Sequence, residues 1–174
     1  MANNIDTLVD DIHSVFTNPQ HSIDEDNLEK LGEDVKEVVK TAIQEAHNYK
    51  DKPQLRMSKI GTPNRKLWYE VNVGSQQDTG DRDDLEEIPV DPQLAMKFLY
   101  GHILEQVLLF FVRESNHSIE GEQDTLSIDD IEGHRDCKID GMTVDIKTSS
   151  SFQFHKFKNG TILNDDPFGY IAQL

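Results

Sequence analysis

Two carboxylates, Asp136 and Asp145, stand symmetrically about Asp140-Gly141, the strongest hairpin signal in the chain. A two-residue type I′ turn needs positive φ at both central positions, which Asp-Gly tolerates well. That turn pairs Ile139 with Met142, Lys138 with Thr143, Cys137 with Val144, Asp136 with Asp145 and Arg135 with Ile146. Alternation then puts Cys137, Ile139, Met142, Val144 and Ile146 on a core face, and His134, Asp136, Asp145 and Lys147 on the opposite one. Opposed side chains lie about 4.5–5.5 Å apart at Cβ, where like charges repel. Such a pair shares a proton, shifts its pKa values or holds a cation. Mg²⁺ or Mn²⁺, hard ions with oxygen ligands, would cancel both charges at once. Lys147, on the same face, can orient or deprotonate a water, or stabilise charge on a phosphorane-like transition state. The competing reading is two ordinary acids on a solvated sheet face, and a one-residue slip of register would separate them.

A third acid, Glu105, sits in the strongest helix pattern, Pro92–Glu114, which is apolar around most of its circumference and is therefore expected to be largely buried. A carboxylate there is costly unless it is paired, metal-bound or snorkelling to solvent from the helix edge. Strand-like segments follow around Ser118–Gln123, Leu126–Ile139 and Met142–Lys147. Helix, strands, then a final mixed segment point to an α/β or α+β core with a mixed sheet. Upstream, residues 1–50 hold 11 acids against 4 Lys or Arg. Their apolar spacing predicts two amphipathic helices, broken near Asn18-Pro19 and restarted by a cap at Asp24 or Asp26: an acidic helical arm. Thr62-Pro63 predicts a short helix that presents Arg65 and Lys66 outward, while Leu67, Trp68 or Val71 packs inward. With Arg56 and Lys59, these cations form either a phosphate-contacting patch or plain surface balance. Gly74–Glu87 reads as a polar loop.

The 174 residues carry 17 Lys or Arg against 33 Asp or Glu, a net charge of −16, which disfavours a general phosphate-coating protein but not local, metal-bridged contacts. The lone cysteine, Cys137, excludes an internal disulfide framework, a four-cysteine zinc site and a cysteine-ligated iron–sulfur cluster. No apolar run suggests a membrane span, and Met1–Thr17 is acidic, unlike a signal peptide. The expectation is a soluble protein of a reducing compartment.

Taken in order, Glu105, Gly133-His134-Arg135-Asp136 and Asp145-Ile146-Lys147 resemble the active-site signature of the PD-(D/E)xK nuclease superfamily. The closest resemblance is to its RecB-like and phage (lambda-type) exonuclease branch. Leu99–Glu105 is similar to that branch's first-helix motif, and Arg56–Glu70 to its R-x-S-x-x-G…R-x-x-W/Y-Y-E stretch, without the cysteine that iron–sulfur members carry near Thr62–Asn64. Tyr170-Ile171-Ala172-Gln173 resembles the opening of its Q-x-x-x-Y helix, and the chain stops at Leu174, before the tyrosine.

The resemblance implies a restriction-endonuclease-like core over residues 51–174, a mixed sheet flanked by helices, cut short at its C-terminus, with residues 1–50 outside it. It implies Mg²⁺-dependent hydrolysis of DNA phosphodiesters, Mn²⁺ serving as a substitute, in recombination, repair or degradation. The products carry 5′-phosphate and 3′-hydroxyl ends. Asp136, Asp145, the Ile146 carbonyl and Glu105 would hold metal, and Lys147 would position the water. Arg56, Lys59, Arg65, Lys66, Ser149, Lys156, Lys158 and Gln173 become candidate DNA contacts, with His155 beside them. Phe152, Phe154 and Phe157 are core, or a stacking surface for a DNA end. The expected location is the cytoplasm, that of the host if phage-encoded, with DNA as partner, no membrane and a homo-oligomer left open. Two alternatives stand: a structure- or site-specific endonuclease on the same fold, and a non-catalytic acidic DNA mimic, motivated by the net charge.

Overall fold

A computed structural model describes residues 3–48, 57–59, 61–72, 91–128, 131–164 and 166. Helices α1 (Leu8–Thr17), α2 (Glu25–Asn48), α3 (Asn64–Asn72) and α4 (Pro92–Glu114) precede strands β1 (Ile119–Glu120), β2 (Asp124–Ile128), β3 (Ile131–Arg135), β4 (Cys137–Ile139) and β5 (Met142–Val144). Helix α5 (Ser151–Lys158) follows. The architecture is mixed α/β with small sheets: a three-stranded sheet in the order β1-β4-β5 and a two-stranded sheet of β2 and β3. Both pairings of the three-stranded sheet are antiparallel, in place of the expected mixed sheet. A parallel neighbour requires a long crossover, whereas β4 and β5 are joined by two residues.

The chain forms two compact units, the first from residues 1–48, 89–124 and 135–147, the second from 49–88, 125–134 and 148–174. In the first, Leu109 and Val112 of α4 pack against Cys137 and Ile139 of β4, with Ile5, Leu8, Ile12, Ile119, Val144 and Ile146 around them. Residues 1–48, read as an acidic helical arm packed on the main domain, fall in this unit, where the apolar stripes of α1 and α2 cover α4. Polar groups fix that cover. The Glu114 carboxylate, almost fully buried, accepts from His21 Nε2 at 3.0 Å and Asn27 Nδ2 at 3.0 Å, and from the Asp24 backbone N–H. Asp24 in turn caps α2, accepting from the Asp26 N–H at 2.9 Å. The buried His117 ring bridges Asp140 Oδ2 at 2.5 Å and Asp11 Oδ2 at 3.2 Å, which ties α1 to the β4–β5 turn.

Helix α4 spans the predicted residues, with Asp91 as its N-cap and Pro92 in its first turn. Its burial differs from expectation. The C-terminal half is covered by α1, α2 and the sheet, but Met96, Phe98, Tyr100, Leu104 and Leu108 are exposed. A three-stranded sheet of short strands and two helices cover only part of a helix this long. By length and composition α4 could also cross a bilayer, contrary to the reading that no run suffices. Buried Glu105 and Glu114 and the Arg113–Glu122 ion pair, all satisfied within the unit, are what a core helix carries.

In the second unit α3 begins at Asn64, one residue after the predicted start, because the Pro63 carbonyl accepts the first helical N–H groups. Leu67 is half-buried while Trp68 and Val71 are exposed, so of the three residues offered for inward packing Leu67 is the one covered. Gly133 lies against Met57, whose side chain would sit 2.7 Å from any added Cβ. Ser150 caps α5 by accepting from the Gln153 N–H. Phe152, Phe154 and Phe157 on α5 are exposed, which sets aside the core reading for them.

Candidate functional site

The β4–β5 hairpin has the predicted register, Cys137 with Val144, Lys138 with Thr143 and Ile139 with Met142. Its turn residues have φ of 49° at Asp140 and 81° at Gly141, as a type I′ turn demands. The inward face holds Cys137 and Ile139 fully buried with Val144 and Ile146 packed on them, while Met142, predicted inward, is exposed at the hairpin tip. The ladder stops one pair before Asp136 and Asp145. There the Asp136 side chain takes over, its Oδ2 accepting the Ile146 N–H at 2.6 Å, while its carbonyl accepts the Gln123 N–H at 2.9 Å. Asp136 is thus pinned against the peptide joining Asp145 to Ile146.

Glu105 comes to the same place from α4. Its Oε1 accepts from Gln123 Nε2 at 2.7 Å, and its Oε2 lies 3.7 Å from His102 Nδ1 one turn earlier. Burial, and then the charge of Asp136, push the Glu105 pKa above the usual carboxylate range, and the Gln123 and His102 contacts only partly oppose this. Among the described residues neither Glu105 nor Asp136 has a Lys or Arg partner. Two neighbouring acids held without a Lys or Arg countercharge, with only the exposed His102 near one of them, fit a cation with oxygen ligands.

The (D/E)xK element is arranged differently. Lys147 Nζ pairs with Asp145 Oδ1 at 2.8 Å, and both side chains are substantially exposed. With Asp145 on its own lysine and Asp136 on a backbone amide, no three His, Cys, Asp or Glu side chains among the described residues gather into a metal-binding group. The structure therefore joins Glu105 and Asp136, and brings Asp136 to the backbone of the Asp145-Ile146-Lys147 segment. It does not bring the Asp145 carboxylate into a three-acid cluster.

Gln123 was not legible as a functional residue, yet it joins the helix acid to the strand acid. It adopts a left-handed backbone (φ 55°), two residues after Gly121 (φ 60°), where a Cβ would collide with the Asp124 and Arg135 side chains. Ion pairs from Glu122 to Arg113 and from Asp124 to Arg135 hold this connection on either side of Gln123. Buried Cys137, its thiol pushed up to about 11 by burial and the nearby acids, is a core side chain with no nucleophilic character.

Of the candidate DNA contacts, Lys59, Arg65, Lys66, Ser149, Lys156 and Lys158 belong to the second unit, while Arg56 and Gln173 lie outside the described residues, as does the Tyr170–Gln173 motif. Arg65 lies over the Tyr69 ring at 6.0 Å, and Lys156 over the Phe152 ring at 5.2 Å. Comparison with family models, with curated proteins and with solved structures returns no match.

Proposed function

We propose that this chain hydrolyses DNA phosphodiester bonds with the help of a divalent cation, on a restriction-endonuclease-like core, acting as an exonuclease of the phage type. The observation that carries the reading is the proximity of Glu105 and Asp136, two acids with no Lys or Arg partner among the described residues, at the backbone of Asp145-Ile146-Lys147. Folding gains nothing from a carboxylate whose ionisation is opposed first by burial and then by a second acid, whereas a hard cation would offset both costs.

Glu105, Asp136 and the Ile146 carbonyl are the oxygens that would hold Mg²⁺ or Mn²⁺, and Asp145 would join them by leaving its Lys147 partner. When bound, such an ion polarises the phosphate and makes the attacking water more acidic. Gln123 keeps Glu105 aimed at Asp136. The Asp136–Ile146 hydrogen bond sets the strand end from which Lys147 projects, and the Lys147 ammonium orients water toward phosphorus. The water oxygen bonds to phosphorus and the bond from phosphorus to O3′ breaks. One strand end is left with a 5′-phosphate and the other with a 3′-hydroxyl.

End-labelled linear DNA and closed circular DNA, incubated with the protein in Mg²⁺, Mn²⁺ or EDTA, test this. Metal-dependent loss of linear DNA alone supports the exonuclease, and cutting of closed circles assigns an endonuclease instead. Intact DNA under every condition removes the enzymatic reading.

A further inference from the structure

Helix α5 reads Ser-Phe-Gln-Phe-His-Lys-Phe-Lys, without a single acid in a chain of net charge −16. Phe152 is 70% exposed and Phe154 56% exposed, although apolar rings favour burial. Each of these rings is followed four residues later by a lysine, Lys156 and Lys158, the spacing that makes side chains neighbours on a helix. For the first pair the contact is made, with Lys156 Nζ 5.2 Å from the centre of the Phe152 ring.

We propose that α5 binds single-stranded DNA that passes around the helix, the Phe152–Lys156 pair taking one nucleotide and the Phe154–Lys158 pair another further along the strand, each ring stacking on a base and each ammonium facing a phosphate. This rests on the reading that DNA is the substrate, and adds that its contact with α5 is unpaired. In a duplex the base faces are already stacked on one another, so exposed rings have nothing to lie on, while a single strand offers a face at every base. A lipid surface is the other polyanion that exposed aromatics and lysines can meet, but it requires the rings on one side of the helix. Positions 152 and 154 emerge on nearly opposite sides.

The test uses the full chain in EDTA, so that nothing is cut, with fluorescence anisotropy on a labelled oligothymidylate and a duplex of equal length. Phe152→Ala and Phe154→Ala are each expected to weaken oligothymidylate binding about tenfold, the value of one stacked base, and to leave duplex binding unchanged. Phe152→Tyr and Phe154→Tyr are expected to keep the affinity, because the ring is retained. Equal affinity of wild type and both alanine variants overturns the proposal, and so does an equal loss on the duplex. Binding to phosphatidylserine vesicles that needs Phe152 and Phe154, without binding to oligothymidylate, assigns the helix to membranes and overturns it as well. If the protein binds oligothymidylate as expected but no metal supports cleavage, the nuclease reading falls and this one stands. If cleavage occurs and the alanine variants bind normally, the reverse holds.

Discussion

Gln123 donates its side-chain amide to Glu105 at 2.7 Å while its backbone N–H donates to the Asp136 carbonyl at 2.9 Å. One residue in a left-handed conformation thus sets the helix acid relative to the strand acid. Removing the amide while easing the backbone, in Gln123→Gly, should leave the melting temperature nearly unchanged. Mn²⁺ affinity or turnover should fall by about 10- to 100-fold, the cost typical of losing a ligand's outer partner. Thermal melts beside Mn²⁺ titration measure both quantities, and an unchanged affinity would remove Gln123 from the site.

Glu105 carries a pH signature. Its folded-state pKa is raised, first by burial and then by Asp136, so ionisation penalises the folded state. The penalty is absent below the usual carboxylate range, grows as pH rises through it, and is complete above the raised value. Glu105→Gln should therefore melt about 2–4 °C higher than wild type at neutral pH, with the difference closing in acid. The same variant should have lost cleavage. Melting curves from acid to neutral pH check the sign, and a lower melting temperature at neutral pH would show Glu105 to be a structural acid.

Asp140 has the opposite sign. Burial opposes its ionisation, but hydrogen bonds from His117 and Ser118 outweigh that and lower its pKa. Its contribution is present above the usual carboxylate range and is lost as pH falls through the lowered value. Asp140→Asn keeps a residue that tolerates positive φ and removes the charge facing His117. It should destabilise the protein by a few degrees at neutral pH, with the gap narrowing in acid, as measured by melts of both proteins across that range. A gap that widens toward acid would contradict this.

Lys147 and Asp145 are both substantially exposed, so their ion pair should contribute under about 1 kcal/mol to folding. Lys147→Ala should accordingly unfold at nearly the wild-type denaturant concentration. Its DNA cleavage should drop by about 100-fold or more, the scale of a lost proton-handling group. Parallel denaturation and cleavage measurements separate the two effects, and an active Lys147→Ala would exclude a role in the chemistry.

The hairpin was legible because Asp-Gly is nearly obligatory where two successive residues need positive φ, and the alternation beyond the turn follows from that. The extent of α4 was legible from its cap and its apolar run, but its burial was not, since that depends on how much surface distant helices and strands supply. The place of Asp136 just past the end of the hairpin ladder was legible by spacing alone. Its grip on the Ile146 amide in place of a further ladder pair was not, because no local rule sets a side chain against a backbone ladder. The docking of residues 1–48 turned on Glu114 and His117, buried polar residues whose partners lie far away in sequence. Gln123 was hidden for a similar reason: glutamine in a turn carries no signal that its backbone is left-handed.

Isothermal titration of Mn²⁺ into the full chain tests the proposed Glu105–Asp136 cation site without any need for turnover. Saturable binding in the wild type, weakened about tenfold or more in both Glu105→Gln and Asp136→Asn variants that remain folded, is the predicted result. Mn²⁺ that fails to bind the wild type, or that binds both variants as tightly, would rule out a cation site at Glu105 and Asp136.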